Sequence, residues 1–152
     1  MAYAVAAYLH FVAIFILFAL LVLEHQMFRL PLNFKRARSL FRVDLAFGIA
    51  AGAVLVTGAM RAMRYGKGMD YYLHNSFFHA KVGLFVVVAL LSIYPTVTFL
   101  RWRPAIKAGE VPAISPATAR RVKMVIRIEL AALLLIPLFA TLMARGFGVI
   151  PV

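Results

Sequence analysis

Two histidines pose the question this chain has to answer. His10 lies in YLHFVAIF and His79 in DYYLHNSFFHAKVG, each about seven residues inside a long apolar stretch. At the helical rise this places both imidazoles ~10 Å from the end of a helix, at matching depth. Two imidazoles at one depth on different helices are what a porphyrin iron with two axial nitrogens needs. The spacing therefore predicts a haem with His10 and His79 as iron ligands. Ala6, Ala7 and Ala13 stand beside His10, and Gly83 lies one turn beyond His79, so small residues leave room for a macrocycle. Arg61, Arg64, Lys67 and Lys81 gather at the same end as candidate partners for its carboxylates, which arginine binds with a two-pronged geometry. His74 points ~140° away from His79 on a helix and lies nearer water, so it is the weaker ligand candidate, a surface histidine or a carboxylate contact. The competing explanation for a histidine inside a membrane is hydrogen bonding between helices.

A second polar group stands at the other end. Glu24, His25, Arg29, Arg42, Asp44, Arg127 and Glu129 fall near the ends of three apolar stretches. His25 is too far from His10 to share its iron. Isolated charges at such depth are costly, so these acids and bases are expected to pair with one another, with proton passage as the second option. Nothing in the chain has the spacing of a hydrolase triad or a nucleotide-binding glycine loop.

These residues must be positioned by membrane helices. The 152 residues are 64% hydrophobic, with a mean hydropathy of +0.92, and apolar runs of bilayer length recur along the chain. The expected architecture is an all-α integral membrane four-helix bundle, one transmembrane domain over 1–152, with helices at about 3–28, 43–64, 73–100 and 117–144. The first run lacks a basic leader and a small-residue cleavage site, so it is read as a retained helix. With no cysteine, thiolate metal sites and disulfides are excluded. The net charge of +12 would indicate nucleic acid in a soluble chain, but here the cations cluster between apolar runs, where lipid and topology account for them. The first and third connections hold 12 of the 17 lysines and arginines. The positive-inside rule then puts both termini outside and the two richer connections in the cytoplasm. Pro104, Pro112 and Pro116 mark the third connection as irregular, with Ser115 and Pro116 opening the fourth helix. Pro95 and Pro137 are expected to kink their helices. Phe28, Phe34, Phe99 and Trp102 are read as an inner interfacial belt, and Tyr65, Tyr71 and Tyr72 as an outer one. Gly48, Gly52 and Gly58 share a helix face with Asp44 and let a neighbouring helix, a second subunit or a flat ligand approach.

FFHAKVG followed by a long apolar helix resembles the corresponding segment of the HemJ-type protoporphyrinogen oxidase family, small four-helix bacterial membrane proteins with haem b. That segment reads as an aromatic, two further residues, then lysine and leucine; Phe77 or Phe78 stands for the aromatic and Lys81 for the lysine. The early histidine of YLHFVAIF is similar too. The stretch LFRVDLAFGIAAGAVLVTGAMR looks closer to a related group of predicted four-helix bacterial membrane proteins. The resemblance implies electron transfer by haem b and, carried to activity, oxidation of protoporphyrinogen IX, with Lys81 engaging its carboxylates and a quinone or other acceptor taking the electrons. The alternatives are a cofactor-free membrane interaction subunit, homo-oligomers included, and a small transporter using the inner acids.

Overall fold

The computed structural model describes residues 1–64 and 69–150; Tyr65 and Lys67, named above for the outer belt and the basic rim, lie outside them. Six helices follow in order: α1 (Ala2–Met27), α2 (Phe34–Arg64), α3 (Met69–Leu73), α4 (Ser76–Leu100), α5 (Arg103–Ala108) and α6 (Pro116–Ala144). The spans containing α1, α2, α4 and α6 are each long and apolar enough to cross a membrane. They pack in the ring order α1–α2–α4–α6, with α1 on α2 and α4 on α6 as the two most extensive contacts. The fold is an all-α membrane bundle. Its outer surface carries Phe11, Phe15, Leu45, Ile49, Leu90 and Leu134, exposed as lipid-facing side chains are.

The second long helix begins at Phe34, well before the expected residue 43. Asn33 is the reason. Its Oδ1 accepts from the Arg36 amide at 2.8 Å, and the Arg36 guanidinium donates to the carbonyls of Arg29 and Pro31 at 3.2 Å each. The first of these bonds satisfies an orphan amide of the helix start, and the other two tie the preceding loop to it. The extra turns carry Ala37 and Leu40 into the core, both fully buried, while Lys35 and Arg38 face outward. Hydropathy alone sees only the apolar stretch that follows.

Within the third connection the chain forms α5 rather than an irregular segment. Pro104 sits in its first turn, where a missing amide costs nothing, and Gly109 closes it with φ of +77°. Ser115 caps α6, its Oγ accepting from the Thr118 amide at 3.1 Å with Pro116 in the first turn. Both α4 and α6 continue through their internal prolines, Pro95 and Pro137. Three residues expected in an interfacial belt are core instead: Phe28, Phe99 and Trp102 are buried, with ring centroids 5.9 and 4.8 Å apart along the series. Trp102 is the N-cap of α5, where the chain folds back over the bundle end and turns these rings inward.

Candidate functional site

His10 is half-buried on α1 and faces α2. Its Nδ1 lies 2.9 Å from Thr57 Oγ1. The Thr57 hydroxyl donates its single hydrogen to the Ala53 carbonyl at 2.6 Å, so towards the ring it acts as an acceptor. With the Thr57 hydrogen engaged in this way, Nδ1 is the donor of the pair. The Nε2 lone pair is left free. An imidazole oriented by a hydrogen bond at one nitrogen and basic at the other is how a metal-ligating histidine is prepared. Gly58 makes the close approach possible: a Cβ there would stand 3.1 Å from His10 Cε1.

Two cations flank this histidine. The fields of Arg61 on α2 and Lys81 on α4 both reach His10 and also oppose each other. The Arg61 guanidinium stacks 5.2 Å from the Phe11 ring centroid. Lys81 Nζ lies 5.1 Å from the centroid of Phe78 and 5.9 Å from that of Tyr72. Phe78 is therefore the aromatic partner of Lys81; Phe77 instead packs on Phe139 of α6. Among the described residues the sole ion pair is His74 with Asp70, so neither cation has a carboxylate partner there. Arg64 is exposed at the end of α2, one turn beyond Arg61.

His79 is differently placed. It is exposed in the first turn of α4, and its Nε2 donates to the Leu73 carbonyl at 2.8 Å. No described contact joins it to His10; the α4 group whose charge reaches His10 is Lys81. His74 points to Asp70, its Nδ1 3.0 Å from the backbone oxygen and 3.3 Å from the carboxylate. Gly83 is exposed with nothing near its missing Cβ.

The start of α4 is held by groups that sequence reasoning passed over. Asn75, fully buried, accepts from the amides of Phe77 and Phe78 and donates to the Phe147 carbonyl at 3.0 Å. The Ser76 amide reaches Gly148 at 2.8 Å and the Ile150 amide reaches His74 at 2.9 Å. Tyr71 donates to the Met143 carbonyl at 2.9 Å. The C-terminal residues thus fold back and fix the turn carrying Tyr72, Phe78 and Lys81. An asparagine just before SFFHAKVG is a recognisable N-cap signal; the role of Thr57 had none.

At the opposite end the expected acid–base pairing does not occur. Arg127 Nε donates to His25 Nε2 at 3.3 Å, and Arg29 donates to Gln26 at 2.8 Å. Glu24, Asp44 and Glu129 are buried, at 1%, 5% and 0% exposure. Thr96 of α4 donates to Asp44 at 2.8 Å, whereas all four carboxyl oxygens of Glu24 and Glu129 lack a hydrogen-bond partner. The reason is helical geometry. Arg42 and Asp44, like Arg127 and Glu129, are two residues apart and so face opposite ways; the arginines are exposed and the acids inside.

Between the two ends lies a cavity of about 200 Å³ lined by Leu17, Phe47, Gly48, Phe85, Ser92 and Thr96 among others. A Cβ added at Gly48 or Gly52 would meet nothing within 4 Å, so of the three glycines on that face only Gly58 serves close packing within the chain.

No curated protein and no solved structure matches this chain. A family model does: described as "Predicted membrane protein (DUF2214)", it matches residues 2–148, and the chain belongs to that family.

Proposed function

We propose that this protein is a membrane haem b protein acting in electron transfer, with the haem held at the His10 end. The observation that carries the reading is the 2.9 Å contact of His10 Nδ1 with Thr57: with the Thr57 hydrogen given to the Ala53 carbonyl, Nδ1 is the donor and Nε2 is the nitrogen available to iron. The cations support it. Arg61 and Lys81 lie on either side of His10 without an acidic partner among the described residues, as sites for the propionates of a haem or the carboxylates of another porphyrin would. Arg64 extends that basic rim. On the α1–α2 side these residues fit the group. On α4, Lys81 is the residue turned towards His10, and His79, two residues before it and bonded to the Leu73 carbonyl, would have to turn about the helix start to act as a second ligand. A bound haem supplies one-electron chemistry, and the protein's part is orientation, charge compensation and exclusion of water.

The resemblance at FFHAKVG adds a substrate: protoporphyrinogen IX, with Lys81 engaging its carboxylates and a quinone as acceptor. The resemblance implies a bacterial inner membrane, and the positive-inside distribution supports an orientation with the His10 end outside. A second reading, a cofactor-free subunit that docks a partner helix, has one observation in its favour: the open face at Gly48 and Gly52.

Absorption spectroscopy on the detergent-purified protein, oxidised and dithionite-reduced, with a pyridine haemochromogen assay, tests the proposal. A Soret band with sharp reduced α and β bands supports it, provided the pigment disappears in His10→Ala. A colourless protein after haem supplementation during expression sinks it and leaves the interaction subunit.

A further inference from the structure

We propose that Glu24, Asp44 and Glu129, brought together from three helices and joined through Thr96 to the interior cavity, form a proton-exchange site inside the bundle. The three carboxyls lie within electrostatic reach of one another. Each is at least nine-tenths buried, and Glu24 and Glu129 direct four unpartnered oxygens into the protein. Bare carboxylates in such a place cost several kcal/mol each, and mutual repulsion adds to that cost. Some positive species must therefore accompany them.

The protein's own cations do not. His25 has Arg29, Lys123 and Arg127 around it and accepts from Arg127. Arg42 is exposed on the far side of α2 from Asp44. From α4 the facing group is Thr96, a hydroxyl. Among the described residues no group of three acids or histidines could hold a metal ion. A proton is the one cation that needs no coordination shell, and so it is the ligand these acids take.

The cavity makes exchange possible. Thr96 both donates to Asp44 and lines the cavity, with Ser92 one turn along. At ~30 Å³ per molecule in the liquid, the space accommodates several waters. On α2 its lining extends from Phe47 to Ala51, beginning one turn from Asp44. Asp44 can thus exchange a proton with water in this space by way of the Thr96 hydroxyl. This inference stands on the acids alone and is independent of whether haem binds.

Infrared titration of the full-length protein in lipid nanodiscs tests it. The chain has five acids, and the two outside the cluster, Asp70 and Glu110, are exposed. An Asp70→Asn/Glu110→Gln form, with the bundle interior untouched, should retain a carboxyl C=O band that converts reversibly between acid and carboxylate with pH. Glu24→Gln, Asp44→Asn and Glu129→Gln in that background should each remove part of its amplitude. The proposal is overturned if the background form shows no titrating carboxyl band over the range where it stays folded, or if the band survives all three substitutions unchanged. Should one of the substituted forms fail to fold, the remaining two still decide, because the C-terminal carboxyl contributes equally to every form.

Discussion

The acid end and the histidine end of the bundle are both charged and both lack counter-ions among the described residues, yet they are built in opposite ways. Around Glu24 and Glu129 the core is closed: Leu21, Leu40, Phe99, Val122 and Ile126 are at most 1% exposed. Around His10 it is open: Tyr8, Leu9 and Phe11 are exposed, His10, Arg61 and Lys81 are half-buried, and Gly83 has space beside it. Carboxyls packed among apolar side chains, with only the Thr96 hydroxyl between Asp44 and the cavity, are suited to taking protons. An open site with bare cations, aromatic walls and an imidazole aimed by Thr57 suits a flat, apolar molecule that carries carboxylates. The same deficit of partners therefore has two chemical meanings, set by packing density.

Substitutions that separate the ends sharpen this comparison. The largest effect is expected from His10→Ala, which should remove haem altogether while leaving the acid end and the helical content intact, read by pigment per chain and circular dichroism. Thr57→Val keeps the shape but removes the acceptor that holds the His10 tautomer; haem affinity should fall by about 10- to 100-fold, the usual loss when a supporting hydrogen bond to a ligand histidine is removed. Asn75→Ala should cost about 1–2 kcal/mol, measured as a lower melting temperature in detergent, because it strips two amides of their cap and frees the C-terminal fold-back. The smallest effect belongs to Glu129→Gln. With no partner to lose, stability should change by less than about 1 kcal/mol and pigment should be unchanged. A large loss of stability there would show that Glu129 has a structural partner and would break the comparison at its acid end.

The four spans were legible because a membrane helix advertises itself by length and apolar content. The start of α2 was not, since its first turns are basic and depend on one asparagine side chain. His10 stood out as a polar residue in an oily stretch. Thr57 did not, because a lone threonine gains meaning only when the α1–α2 register puts it beside the imidazole. The failure of the acids to pair was present in the spacing of Arg42–Asp44 and Arg127–Glu129, two residues apart on opposite helix faces, but nearness along the chain suggested the reverse. The aromatics Phe28, Phe99 and Trp102 misled for a related reason: position near a helix end marks depth and says nothing about which way a ring turns.

The account rests most directly on one comparison of haem content, measured by pyridine haemochromogen on the purified wild-type protein, His10→Ala and Glu129→Gln side by side. It predicts close to one haem per chain in the wild type and in Glu129→Gln, and none in His10→Ala. Equal pigment in all three, or none in the wild type, would contradict it.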